Sequence, residues 1–122
     1  MFELKVITKF AAAHQLTMVA QKCENLHGHN WKIEACVTGE KLDEGGVLVD
    51  FGIIKKNIRH IMETLDHKFL NELEISKGKQ PSSEIIGIYI AEELQKTLED
   101  NLKVSKIHVW ESDDACATYI VP

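Results

Sequence analysis

The stretch Asn30-Trp31-Lys32-Ile33-Glu34-Ala35-Cys36-Val37-Thr38 decides the fold class. Trp31, Ile33, Ala35 and Val37 fall on one side of an extended chain, and Lys32, Glu34, Cys36 and Thr38 on the other. Successive side chains of a strand alternate between its two faces, so this pattern predicts a half-buried strand over 30–38. Such strands belong to antiparallel sheets that are covered on one side. Upstream, Phe2, Leu4 and Val6 alternate with Glu3 and Lys5, which predicts a second strand over 2–10. Residues 11–26 lack a clean period and read as a long loop.

Downstream, residues 39–46 are polar and turn-rich, a loop. Asp50 suits a helix N-cap, and Phe51, Ile54, Ile58, Ile61 and Leu65 follow at helical spacing. That helix is expected to end near Asp66. Residues 74–82 read as another loop, closing on Pro81-Ser82-Ser83-Glu84, where hydroxyl caps and a first-turn carboxylate signal a helix start. The stripe Ile86, Ile90, Leu94 and Leu98 supports this second helix. Two short strands, 104–110 and 115–121, follow Asn101 and are joined by Glu111-Ser112-Asp113-Asp114. The order strand-strand-helix-helix-strand-strand predicts an α+β domain, a four-stranded antiparallel sheet with two helices on one face. Val104, Ile120 and Phe10 suggest that the other face is not purely polar, which points to a homo-oligomer.

Bulk composition narrows the function classes. A chain of 122 residues fits one domain, spanning 1–122, with a core that needs no staples. The net charge of −5 and the single arginine, Arg59, argue against a nucleic-acid partner, because phosphate affinity needs clustered cations. No block of like charge suggests a membrane surface or an acidic tail. The start Met1-Phe-Glu-Leu-Lys-Val lacks the features of a signal peptide, and no apolar run approaches the ~20 residues of a membrane span. Three cysteines without framework spacing suit a reducing compartment. The expected location is the cytoplasm.

The chemistry concentrates in His14, Cys23, His27 and His29. Three imidazoles are a common zinc set for a catalytic site that keeps one position open. His27 and His29 share a side of an extended segment, and hairpin pairing of the first two strands would bring His14 to them. Cys23 can be read as a fourth ligand closing a structural site, or as a thiol beside the metal with a lowered pKa that serves as base. Cys36 and Cys116 read as small buried hydrophobes inside strands. His60 and His108 read as solvated or structural. Asp66-His67 at a helix end can cap, pair charges or orient an imidazole; taken alone it reads as a solvated helix end, and it gains a role only where it meets Cys23 in space. Glu111, beside the apolar wall of Trp110, can grip a guanidine-like edge through two hydrogen bonds.

Together these pieces resemble the 6-pyruvoyl-tetrahydropterin synthase family, and within it the 6-carboxy-tetrahydropterin synthase branch. The resemblance is carried by Phe10-Ala-Ala-Ala-His14, Cys23-Glu-Asn-Leu-His27-Gly-His29-Asn-Trp31, Val47-Leu-Val-Asp50-Phe51, Leu65-Asp66-His67, Pro81-Ser-Ser-Glu84 and Trp110-Glu111. The three residues between Cys23 and His27 match the carboxy branch. Ser82 stands where the family often has Thr, and Ile85 where Asn is common.

The resemblance implies the tunnelling fold, assembled as hexamers of two trimers with sites at subunit interfaces. It implies zinc on His14, His27 and His29, Cys23 as proton acceptor with Asp66 and His67 as relay partners, and Glu111 as the anchor of a pterin ring. It also implies 7,8-dihydroneopterin triphosphate as substrate. The products would be 6-carboxy-5,6,7,8-tetrahydropterin, acetaldehyde and triphosphate, on the route to queuosine and other 7-deazapurines. Lys5, Lys9, Lys22 and Lys32 are candidates for meeting the triphosphate. Sister activities making a pyruvoyl pterin or acting as a folate-pathway aldolase share metal and substrate. A non-catalytic zinc module with Cys23 as fourth ligand belongs to a different class.

Overall fold

The structure is a computed structural model describing residues 1–16 and 26–122, with the side chain of His27 outside the described set. The elements are β1 (Phe2–His14), β2 (His27–Gly39), α1 (Phe51–Glu63), β3 (Lys68–Phe69), α2 (Ser83–Gln95), β4 (Lys103–Ser112) and β5 (Ala115–Ile120). One-turn 3-10 helices at Leu70–Glu72 and Glu74–Ser76 lie between β3 and α2. The sheet order is β3-β1-β2-β4-β5, with every pairing antiparallel except β3 against β1.

Alternation in sequence becomes a covered and an open face. Trp31, Ile33, Ala35 and Val37 are fully buried against the helices, joined by Val6 and Phe10 of β1 and Val104, Ile107 and Val109 of β4. From α1, Ile54, Ile58 and Ile61 meet them; from α2, Ile86, Ile90 and Leu94 do so. Both predicted caps form. Asp50 accepts from the Gly52 N–H at 2.8 Å, and Ser82 Oγ accepts from the Ile85 N–H at 3.2 Å. Gly87 lets α2 lie close on the sheet, since a Cβ there would stand 3.2 Å from Tyr119 Cβ and 3.4 Å from Val109 Cγ2. That approach brings the start of α2 over the ends of the central strands.

Several expectations need correction. Residues 11–14 are strand, not loop, and β2 starts at His27 rather than at 30, because β1 and β2 pair without a break from Phe2↔Gly39 to His14↔His27. The run Ala11-Ala12-Ala13 carries no polar alternation, so periodicity was silent where hydrogen bonding continued. Helix α1 ends at Glu63 rather than near Asp66, since the Thr64 N–H and hydroxyl both turn back to Ile61 O. Helix α2 ends at Gln95, leaving Leu98 in the following turn, where it packs against the core. The sheet has five strands: β3, too short to leave a pattern, adds to the edge of β1 in parallel. Phe10 and Val104 face the helices and say nothing about the open face, on which Ile120 is 73% exposed.

Cys36 is fully buried as expected, although it lies on the open face. Its cross-strand neighbours are Lys5 and Lys106, drawn across that face by Glu34 and Glu3. Burial pushes its thiol pKa up, which lowers the thiolate fraction. Cys116 is exposed rather than buried, because it lies on the open face of the outermost strand, β5. Among the described residues, no helix is long and apolar enough to cross a membrane.

Candidate metal centre

The unbroken β1–β2 pairing sets the centre. It puts His14 opposite His27, and Ala12 opposite His29, so positions 14 and 29 fall on the helix-facing side at one end of the sheet. There the His14 and His29 rings meet edge to face, with centroids 5.1 Å apart. Glu111 enters from β4. It was expected just past its strand, yet β4 runs on to Ser112 with a register shift between Trp110 and Ser112. Trp110 lies in register on the open face opposite Lys32, whereas the Glu111 carboxylate reaches the two imidazoles on the covered side.

Glu111 Oε1 is 3.1 Å from His29 Nε2 and 3.9 Å from His14 Nε2. The three donor atoms all lie within 4.8 Å of one another. Ligands about 2.0–2.1 Å from a tetrahedral zinc stand about 3.3 Å apart, so these separations suit one ion. Two nitrogens and a carboxylate oxygen are also the donor types that zinc takes. The surrounding contacts point the same way. His14, fully buried, has Nδ1 2.9 Å from Pro81 O. A backbone carbonyl can only accept, so Nδ1 carries the proton and Nε2 presents its lone pair, the usual tautomer of a metal-binding imidazole. Ser83 Oγ donates to Glu111 Oε2 at 3.2 Å, turning the other carboxylate oxygen towards the histidines.

Trp31 forms the wall behind the centre. Its ring stands edge-on to His14 (5.1 Å) and His29 (5.3 Å), stacks on Phe10 at 5.7 Å, and sends Nε1–H to Ala12 O at 3.4 Å. The indole thus packs against both imidazoles on the side away from solvent.

Asp66 and His67 lie on a turn, not on a helix. His67 takes a left-handed backbone (φ 58°), which lets neighbouring side chains meet, with His67 Nδ1 2.9 Å from Asp66 Oδ2. Asp66 Oδ1 accepts from the Ala11 N–H at 2.8 Å. This backbone bond first, and the His67 contact next, hold the Asp66 carboxyl below the usual carboxylate range. His67 and His29 both line a cleft of about 460 Å³ over Ala11, Ala13 and Asn30. Ala11, Ala13 and Asn30 face away from the helices, so this cleft opens on the other side of the sheet from the His14–His29–Glu111 cluster.

Of the predicted site residues, the structure brings together His14, His29 and Glu111, pairs Asp66 with His67, and sets the backbone of His27 opposite His14. Cys23 and the imidazole of His27 lie outside the described residues. Glu111 was expected to serve a ring rather than a metal, and its place among the imidazoles was not legible from spacing. Sequence reasoning also missed Ser83, Pro81 O and Trp31 as supports. Ser83 was visible as a cap-region hydroxyl and Trp31 as a core-facing aromatic. The carbonyl of Pro81 leaves no sequence signal. His60, exposed beside Glu63, and His108, bonded to Thr118 Oγ1, lie outside the His14–His29–Glu111 cluster.

Comparison with known proteins identifies the family. The family model "6-pyruvoyl tetrahydropterin synthase" matches residues 3–121. The chain is 36% identical over 113 residues to a putative 6-carboxy-5,6,7,8-tetrahydropterin synthase of Archaeoglobus fulgidus, covering 92% of this chain and 90% of that protein. It is 31% identical over 105 residues to the dihydroneopterin monophosphate aldolase of Pyrococcus furiosus, covering 86% and 85%. The 6-pyruvoyl tetrahydropterin synthase structure of Caenorhabditis elegans superposes with a TM-score of 0.85 at 24% identity, over 99% of this chain and 96% of that one, which shows the shared fold. On its sequence match and its architecture, this chain belongs to the 6-pyruvoyl tetrahydropterin synthase family.

Proposed function

We propose that this protein is a zinc-dependent lyase that converts 7,8-dihydroneopterin triphosphate and water to 6-carboxy-5,6,7,8-tetrahydropterin, acetaldehyde and triphosphate, for 7-deazapurine (queuosine) synthesis. The observation that carries the reading is the His14–His29–Glu111 cluster, with His14 locked as a ligand tautomer by Pro81 O. Family membership and the carboxy-branch relative support the substrate class.

In this reading His14, His27 and His29 hold the metal. Zinc supplies Lewis acidity to the adjacent hydroxyls of the substrate side chain. With His27 as the third ligand in place of Glu111, the Glu111 carboxylate grips the amino-pyrimidine edge of the pterin, and Ser83 keeps it aimed. Its position beside the imidazoles suits a substrate whose ring and hydroxylated side chain are contiguous. Cys23 takes protons from the side-chain carbons. His67, oriented through Nδ1 by an ionised Asp66, exchanges them through Nε2. The working form would be a cytoplasmic homo-oligomer, a hexamer of two trimers.

A second reading, an aldolase releasing a hydroxymethyl pterin, is favoured by the 31% identity to the Pyrococcus aldolase. Incubation of the zinc-loaded protein with dihydroneopterin triphosphate, with products identified by mass spectrometry, separates the two. A carboxypterin with acetaldehyde supports the first, a hydroxymethyl pterin the second, and a pyruvoyl pterin a third sister activity. Cys23→Ala is expected to keep zinc and lose turnover; loss of zinc instead would favour a closed structural site.

A further inference from the structure

We propose that Asn71 is a positioning residue for the metal centre: its carboxamide grips the backbone of Gln15 and so sets the imidazole of His14. The proposal rests on the reading of His14 as a metal ligand. The Gln15 N–H donates to Asn71 Oδ1 at 2.8 Å, and Asn71 Nδ2 donates to Gln15 O at 2.7 Å. One side-chain amide thus satisfies both backbone groups of one residue, as a neighbouring strand would.

Asn71 takes over where strand pairing stops. Phe69 is the last residue of β3 and pairs with Ala13; at Leu70 the chain coils into a 3-10 helix and its backbone leaves the edge. His14 is therefore flanked by Ala13, held by β3, and by Gln15, held by Asn71. The clamp is itself anchored. Leu70 is fully buried, and its carbonyl accepts from Ser76 Oγ at 2.6 Å and from the Leu73 N–H at 3.1 Å.

Because His14 must reach Pro81 O with one nitrogen and face Glu111 with the other, a shift at Gln15 transmits directly to the ligand. Only a side chain with a donor and an acceptor on one planar group can do this. Alanine has neither, and an aspartate would accept from the N–H while repelling Gln15 O.

Full-length wild type, Asn71→Ala and Asn71→Asp would be loaded with Co²⁺. Affinity would be read by chelator competition, and the ligand field by visible absorption. Amide hydrogen exchange over residues 11–16 would be followed on the metal-free proteins. Both variants are expected to lose ~10–100-fold in affinity, the usual effect of removing a supporting partner, and to show an altered cobalt spectrum. The Gln15 amide should exchange faster in Asn71→Ala and stay protected in Asn71→Asp, a pattern that general destabilisation would not produce. Affinity and spectrum equal to wild type in both variants would overturn the proposal. If Asn71→Ala fails to fold, Asn71→Asp decides. Failure of wild type to bind Co²⁺, with His14→Ala as control, would sink the metal reading itself and is visible without any Asn71 variant.

Discussion

Replacing Trp31 with Phe tests whether the wall behind the imidazoles is part of the site. Trp31 is fully buried between Phe10 and the two histidines. Phe keeps a stacking ring but vacates ~40 Å³, which at ~24 cal/mol per Å³ costs ~1 kcal/mol. The Nε1–H bond to Ala12 O is long, at 3.4 Å, so its loss adds less than ~1 kcal/mol. A total of ~1.5–2 kcal/mol lowers the melting temperature of a chain this size by ~6–10 °C. The imidazoles, no longer wedged, should bind Zn²⁺ ~10-fold more weakly. Thermal unfolding by circular dichroism and Zn²⁺ competition with a chelator measure the two effects separately. A melting point within 2–3 °C of wild type, together with unchanged affinity, would refute the argument that the indole holds the ligands. A lowered melting point with unchanged affinity would leave Trp31 as core alone.

Ser83→Ala frees the Glu111 carboxylate to turn; turnover should fall ~10-fold or more while stability changes by less than ~1 kcal/mol, measured by steady-state kinetics beside thermal melts. Asp66→Asn keeps an acceptor for the Ala11 N–H but removes the charge facing His67; kcat should drop ~100-fold with zinc content unchanged, and an unaltered kcat would remove His67 from the relay. Glu34 is held below its ordinary pKa of 4.5, chiefly by the hydrogen bond from Trp110 Nε1. Its contribution is therefore complete above pH 4.5 and lost as the pH falls through the lower folded value. Glu34→Gln should flatten that part of the acid-unfolding profile and cost ~1 kcal/mol at pH 7.

What was legible in the sequence was what local periodicity and capping encode. The alternation of Trp31 to Val37 became the buried face of β2, and the Asp50 and Ser82 caps formed where the residue types placed them. The reading failed where hydrogen bonding, not hydrophobicity, sustains the element. The Ala11–Ala13 end of β1 and the two-residue β3 both depend on a partner distant in the chain. It failed also at Phe10 and Val104, whose faces depend on strand phase rather than on their own polarity.

The candidate site divides the same way. His14, His29, Asp66, His67 and Glu111 were identifiable from the sequence because imidazoles and carboxylates at those spacings, and the family resemblance they carry, need no coordinates. Their grouping needed the fold. The β1–β2 register joined His14 to His29, the register shift in β4 accompanied Glu111 to the imidazoles, and a left-handed turn at His67 let adjacent side chains meet. The supports, Pro81 O, Ser83, Trp31 and Asn71, were the least legible. A backbone carbonyl or a lone amide acquires a task only when residues far apart in the chain are packed to within hydrogen-bond range.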